Sequence, residues 1–278
     1  MSAPLSTIRN RINLTKNIEK ITNALKLTSS TKTKKLLKGF ANYKTFLEAV
    51  YSSLDLLNTA YEVPDNTKTI IYVVASEIGL CGAYNSRVYQ QLLKEIKPLR
   101  NFEIILLGKK LEKRLAQFQP RKLVFPKYNL NSIELLNIIA NEVNWITALW
   151  KQKALTKVIV IGHEYINQLI QKVRTFVIFP FEINPHTYPS HLLESCEFIP
   201  SRKDILASIL PFYLSVALRA AIFESLLSIE AMRNIAMDNA TKNAREFIDQ
   251  LTLEYNRVRQ AQITQEIIEI VSGADGGQ

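Results

Sequence analysis

Apolar residues step by fours and threes along the first part of the chain. Leu36, Phe40, Tyr43, Leu47, Val50, Leu54 and Leu57 form a heptad seam, with Ile8, Ile12, Ile18, Ile21 and Leu25 ahead of it. That spacing lays side chains along one stripe of a helix and predicts a coiled-coil seam. The tract TSSTKTKK, Thr28 to Lys35, interrupts it with polar residues. The helix is therefore expected to change surroundings there, from one partner to another or to solvent. Towards the other end, Ala240, Ala244, Phe247, Leu251, Tyr255 and Val258 recur at threes and fours, and Ala217, Ala220, Ala221, Ala231 and Ala236 keep the preceding stretch slim. The last run, Arg259 to Ser272, keeps helical spacing with Ile263, Ile267 and Ile270 on one side. Chain ends usually fray, so an ordered-looking terminal helix implies that something receives it.

Helix breakers mark the limits of these segments. From Leu5 to Val63 there is no proline and only Gly39, and from Phe212 to Ser272 there is neither residue. Because both are avoided inside helices, two very long helices are predicted, with Pro211 near the start or at a kink of the second. Coming from opposite ends of one chain, they pair most simply as an antiparallel intramolecular coiled coil. The middle has another pattern. KTIIYVVAS (Lys68 to Ser76), FEIILLG (Phe102 to Gly108), KVIVIG (Lys157 to Gly162) and VRTFVIFP (Val173 to Pro180) are short, rich in β-branched residues and bounded by turn residues, as buried strands are. Helical stretches at Arg87 to Ile96, Lys110 to Gln117 and Ile133 to Ala148 separate most of them. This succession predicts a Rossmann-like α/β domain with a mainly parallel sheet, and Pro180, Pro185, Pro189 and Pro200 lead out of it. The domain organisation is then 1–65 for the first coiled-coil helix, 66–202 for the α/β domain and 203–278 for the second helix.

Composition narrows the function. The chain has 278 residues, 47% of them hydrophobic and 22% charged, as a soluble globular protein does. Its N-terminus has no apolar signal core and reads as mature protein. The uncharged stretch ILASILPFYLSVAL, Ile205 to Leu218, falls short of the roughly 20 residues a membrane-crossing helix needs and is expected to pack against protein. Cys81 and Cys196 form no CxxC, and His163, His186 and His191 have no paired-ligand spacing, so no disulfide framework or metal site is predicted. The net charge of +10 is concentrated. Arg9, Arg11, Lys16, Lys20, Lys26, Lys32, Lys34, Lys35, Lys38 and Lys44 face a single acid, Glu19, over that stretch. Such a one-signed stripe calls for an acidic partner, whereas a merely solvated helix mixes both signs.

Catalytic chemistry finds little support. SEIGLCGAYNSRV, Ser76 to Val88, is a glycine-rich strand-to-helix turn, but it is neither GxGxxG nor GxxxxGK[ST], and a close-packed turn or an exposed contact loop is the better reading. No nucleophile elbow or forced carboxylate pair occurs, so neither a catalytic residue nor a cofactor is predicted. Nucleic acid is a poor partner too: it would want basic charge on both helices, and Glu230 to Ser272 carries seven acids against five bases.

Three tracts resemble the gamma subunit of the F1 part of F-type ATP synthase. They are the run from Glu224 to Ala274, KITNALKLTSSTKTKKL from Lys20 to Leu36, and GLCGAYN from Gly79 to Asn85. They occur in family order, and the resemblance covers essentially the whole chain. It implies a non-catalytic rotor shaft: an antiparallel coiled coil inside a ring of three alpha and three beta subunits, with an α/β domain at its foot. Ion flow would turn a ring of c subunits, the foot and the shaft, and thereby drive ATP synthesis or, in reverse, respond to hydrolysis. An epsilon subunit, or mitochondrial delta and epsilon subunits, would complete the rotor. The implied location is peripheral to the energy-coupling membrane, on the bacterial cytoplasmic face or the mitochondrial matrix face, with no span of its own. Arg259, Gln260, Thr264, Glu266 and Glu269 match the family's RQxxITxExxEIVSG tract, which meets the ring's loops. Lys16, Lys20, Lys32 and Lys35, with Leu25 among them, would face the acidic loop of beta, and Gly79, Leu80, Cys81 and Gly82 would lie near the same moving parts. The chain departs from the family pattern at Glu77-Ile78, where Asp-Arg is usual, and at Leu25, Leu27, Thr28, Ser29 and Ser30, where Met and Ala are usual. The cysteine pair of the redox-regulated chloroplast form has no counterpart.

Overall fold

The computed structural model describes residues 4–55, 67–123, 133–181 and 198–275. Leu57, Pro185, Pro189, His186, His191 and Cys196 lie outside them. Two long helices are present: α1 (Leu5–Asp55) and α5 (Arg202–Asp275). Between them come β1 (Lys68–Val74), α2 (Tyr84–Ile96), β2 (Phe102–Leu107), α3 (Glu112–Leu115), β3 (Arg121–Leu123), α4 (Ile133–Lys151), β4 (Leu155–Tyr165) and β5 (Gln171–Phe179). The chain divides into two compact units, residues 1–29 with 234–278, and residues 30–233.

The larger unit holds a five-stranded sheet in the order β3-β2-β1-β4-β5. β1 pairs in parallel with β2 and β4, and β2 with β3; only β5 runs antiparallel, joined to β4 by a hairpin in which Asn167 Oδ1 accepts the N–H groups of Leu169 and Ile170. Residues 69–74 of β1 and 158–161 of β4 are buried on both faces, which is why they read as continuous apolar runs rather than alternations. Tyr72 and Val160 are register partners and share a face, whereas His163 has the opposite parity. Tyr72 donates its hydroxyl to Glu142 Oε2 of α4 at 2.7 Å, and His163 stacks on Tyr84 of α2 with ring centroids 4.4 Å apart. α4 and α2 therefore cover opposite faces, as right-handed crossovers running in opposite directions along a sheet require.

β3 was not apparent in the sequence. Its three residues contain no apolar run; what fixes it is pairing with β2 and Arg121, which forms a two-pronged contact with the buried Glu142 at 2.6 and 2.7 Å and lies over the Trp145 ring at 4.6 Å. Burial, then the Glu142 charge, pushes the Tyr72 phenol well above its ordinary range, so it remains a donor.

α5 starts nine residues before Pro211, capped by Ser201, whose hydroxyl accepts the Asp204 N–H at 3.2 Å and donates to Asp204 Oδ2 at 2.6 Å. Pro211 is accommodated inside the helix, where it has no N–H to donate to the Ala207 carbonyl. By length and composition α5 could cross a membrane, but in its apolar stretch Leu210, Tyr213, Leu214, Ala217 and Leu218 are buried in the core and Tyr213 donates to the Ile178 carbonyl at 2.8 Å. Contact with β4 is close at Gly162, where a Cβ would lie 1.9 Å from Ser225 Oγ and 2.8 Å from Ser225 Cβ. Gly162→Ala is expected to cost about 2–3 kcal/mol, seen as a lower urea midpoint at unchanged slope, with Ser225→Gly in the same chain restoring part of it.

The smaller unit is an antiparallel helix pair. Arg245 meets Glu19 at 2.8 Å, Thr241 donates to Thr22 Oγ1 at 2.8 Å, Asp238 meets Lys26 at 2.6 Å, and Asn234 Nδ2 donates to the Lys26 carbonyl at 3.2 Å. As numbers rise on α1 they fall on α5. The seam differs from the predicted one. Thr15, Thr22 and Ser29 are buried here and continue the stepping from Ile8, whereas Ile18 and Ile21 are exposed; in the larger unit Thr33 and Leu36 are buried on the same helix. The polar tract thus does not break the heptad. Threonine shape suits the stripe, and the hydroxyls are satisfied within the helix, Thr15 on the Arg11 carbonyl at 2.8 Å and Thr22 on that of Glu19 at 3.0 Å. On α5 the buried positions are Met237, Thr241, Ala244 and Leu251, so Thr241 belongs to the seam and Phe247, which is exposed, does not.

Candidate partner-binding surface

Extrapolating the pairing of Glu19 with Arg245 and of Lys26 with Asp238 places the first turn of α1 level with residues near 258. Beyond that point no described residue of α1 stands beside α5. Every residue from Arg259 to Ser272 is exposed, for a length of roughly 20 Å at 1.5 Å per residue. Arg259, Gln260, Thr264, Glu266 and Glu269 all stand on this overhang. Thr264 donates to the Gln260 carbonyl at 2.9 Å, and Gln262 and Gln265 donate to Glu266 and Glu269 at 3.2 and 2.9 Å, so the acids are steadied from one turn earlier. Ile263, Ile267, Ile268, Ile270 and Val271 are exposed between them. Apolar residues so placed form a patch of the kind that marks a binding surface.

The basic stripe divides by environment. Lys16 and Lys20 are exposed, and Leu25 beside them is half-buried. Lys26, a member of the stripe, instead pairs with Asp238, whose carboxyl is held down to about 2 by hydrogen bonds from Lys242 and Lys26. In the larger unit Lys35 is exposed, while Lys32 is half-buried with its Nζ 3.8 Å from Glu230 Oε1. A second apolar stripe, Leu14, Ile18 and Ile21, lies exposed on α1.

The glycine turn between β1 and α2 is held from several sides. Ser76 N–H donates to Asn85 Oδ1 at 3.0 Å, Asn85 Nδ2 donates to Ser76 Oγ at 2.8 Å, and Lys110 N–H donates to the Ser76 carbonyl at 3.1 Å. Leu80 (φ 63°) and Gly82 (φ 59°) adopt the left-handed conformation, and Leu80 presents its side chain to solvent at 57% exposure. Gly79 is half-buried and Gly82 exposed. Cys81 is turned inward: it is 1% exposed, its thiol 3.5 Å from Ser76 Oγ and 3.4 Å from Asn85 Nδ2. It contributes to the turn's foundation, so its side chain offers nothing to a partner. Sequence reasoning passed over Arg233, which donates from Nη2 to the Ile78 carbonyl at 2.9 Å and from Nε to the Gly79 carbonyl at 3.4 Å. An available signal was the pair Glu230 and Arg233, opposite charges three apart in a stretch otherwise kept slim by alanine. Among the described residues no three His, Cys, Asp or Glu side chains are grouped to hold a metal ion.

Comparison with known proteins gives a consistent picture. The family model described as ATP synthase matches residues 4–276. The ATP synthase gamma chain of Mycoplasmopsis synoviae (strain 53) is 34% identical over 286 residues, covering 97% of this chain and 98% of its own. That of Malacoplasma penetrans (strain HF-2) is 34% identical over 288 residues, covering 99% of each. Among solved structures, a chain of the rotor of Euglena gracilis mitochondrial ATP synthase has the same fold, with a TM-score of 0.70 at 16% identity over 93% of this chain and 98% of its own. A chain of the Tetrahymena thermophila mitochondrial ATP synthase central stalk and c-ring gives a TM-score of 0.58 at 19% identity over 79% of this chain and 99% of its own.

Proposed function

Since this chain belongs to the ATP synthase gamma-chain family, we propose that it is the central rotor shaft of an F-type ATP synthase, coupling ion-driven rotation of a c-ring to conformational change in a surrounding ring of alpha and beta subunits. The observation that carries this reading is the overhang: from Arg259 onward α5 has no partner helix among the described residues, and every described side chain is exposed. An exposed single helix studded with isoleucine is stable when a sleeve covers it. The alpha and beta subunits supply that sleeve, and an epsilon subunit and the c-ring engage the other end of the rotor. The shaft itself handles no substrate; the catalytic sites belong to the ring.

The helix pair bears different side chains on each side, so at any angle it meets the subunits of the ring unequally. Lys16 and Lys20 lie on one helix, and the apolar overhang belongs to the other. Each angle stabilises a different set of conformations in the catalytic subunits, a population shift driven by differential contact energy. The complex sits peripherally on the energy-coupling membrane, at its cytoplasmic face, as suits a chain whose relatives include those of mycoplasmas.

The test is purification of the tagged chain under gentle conditions, with co-purifying subunits counted and magnesium-dependent ATP hydrolysis assayed. An assembly of alpha, beta and this chain that hydrolyses ATP supports the reading; a lone chain, or one that arrives with nucleic acid, overturns it. Within that assembly, changing Arg259 and Gln260 together to alanine should leave the melting temperature of the isolated chain within about 1 °C, because both side chains are exposed. Proton pumping per ATP should fall. Undiminished pumping would remove these two residues from the contact surface.

A further inference from the structure

Among the described residues no strand pairs with the outer part of the glycine turn, yet two of its carbonyls, those of Ile78 and Gly79, are taken by the single guanidinium of Arg233 at 2.9 and 3.4 Å. The remaining arm of the guanidinium, Nη1, donates to Glu230 Oε1, one turn earlier on α5. Glu230 is completely buried, and Lys32 of α1 approaches the same oxygen at 3.8 Å. Its other oxygen, Oε2, accepts no hydrogen bond among the described residues. A buried carboxylate with half its acceptor capacity unused is a weak way to gain stability, since desolvation offsets much of the attraction. It is a good way to aim a guanidinium. The planar fork of arginine holds a carboxylate and two carbonyls in one fixed arrangement, whereas the three donors of a lysine ammonium rotate about a flexible stem.

We propose that Arg233 is a positioning residue that latches the glycine turn to α5, with Glu230 and Lys32 aiming it, so that the turn and the helix rotate as one body under load. The proposal rests on the rotor reading for its consequence, although the latch itself is a property of the chain. Because Arg233 reads the backbone carbonyls of Ile78 and Gly79, the latch does not depend on which side chain stands at 78.

The experiment uses the assembled enzyme in sealed inverted vesicles, carrying the wild-type chain, Arg233→Ala, Arg233→Lys or Glu230→Gln, and measures ATP hydrolysis and ATP-driven proton uptake on the same samples. Amide exchange of residues 78–83 is followed in parallel on the isolated chains. Arg233→Ala is expected to hydrolyse ATP within about twofold of wild type while pumping at least about fivefold fewer protons per ATP, and to exchange these amides at least about tenfold faster. Arg233→Lys should recover part of both, and Glu230→Gln should fall between wild type and alanine. Wild-type proton uptake per ATP in Arg233→Ala, or hydrolysis and pumping falling in parallel with exchange unchanged, overturns the latch. If Arg233→Ala does not assemble, Arg233→Lys decides: coupling and exchange both identical to wild type overturn the proposal, and partial loss of both supports it. A wild-type chain that neither assembles nor pumps would overturn the rotor reading instead, and exchange on the isolated chains would still test the latch.

Discussion

Alanine at Gly108 is expected to destabilise the larger unit by at least about 3–4 kcal/mol, through two mechanisms that cannot relieve each other. Gly108 follows β2 with φ 88°, and a Cβ there would stand 2.2 Å from the Ala75 carbonyl oxygen and 2.8 Å from its carbon. Both are backbone atoms. Ala75 N–H is itself bonded to the Leu107 carbonyl at 2.7 Å, so moving Ala75 aside breaks the end of the β1–β2 ladder. Relaxing φ to a normal value would redirect the chain before Lys110 N–H reaches the Ser76 carbonyl at 3.1 Å. The effect should appear as a thermal midpoint lowered by roughly 8–15 °C, given about 2–4 °C per kcal/mol for a chain of this size. A shift of less than about 3 °C would show that this end of the sheet yields far more easily than its hydrogen bonds indicate.

Acidification should weaken the same unit through His163. Its ring is completely buried against Tyr84, and neither ring nitrogen has a hydrogen-bond partner among the described residues. Burial, and secondarily the charge of Arg87, lowers its pKa from 6.5 to about 4. The unfolded chain takes up a proton as pH falls through 6.5, while the folded chain resists until about 4. The contribution is therefore complete above pH 6.5 and is lost progressively on the way down to 4, about 3 kcal/mol in all at 1.36 kcal/mol per pH unit. His163→Phe keeps a ring on Tyr84 and has nothing to protonate. Urea unfolding from pH 7.5 to 4.5 should show wild type losing stability relative to this variant, with the difference opening below about pH 6.5. Parallel curves would refute the assignment. Asp238, held down to about 2, acts in the opposite charge sense and at lower pH: its contribution is present above its usual 3.8 and fades only below that.

The long helices were legible because glycine and proline are absent from them, and the strands because β-branched runs recur between helical stretches. What escaped was local chemistry that apolar periodicity does not register. Counting threonine as polar hid Thr15, Thr22, Thr33 and Thr241 from their seam and lent Ile18 and Phe247 a core role they do not have. A threonine that bonds its own helix behaves as a small apolar knob. β3 escaped because three residues carry no period, and Cys81 read as a contact because a turn's sequence does not say which side chains fold under it. Arg233 escaped for a different reason. Its partners are main-chain carbonyls more than 150 positions away, and a backbone leaves no mark in the residue types it recruits.

The charged and hydroxyl pairs across the helical pair also act as a gauge of length. If α5 slid by one heptad relative to α1, Glu19 would leave Arg245 and stand opposite Asp238, an acid against an acid; slid the other way, Lys26 would leave Asp238 and meet Arg245, a base against a base. An all-leucine seam has no such memory, because every heptad looks like the next. Here only one setting is attractive, and that setting fixes how far Arg259 to Asp275 reach past the start of α1. The sequence thus encodes a measured protrusion, and whatever socket receives the tip can be cut to a constant depth.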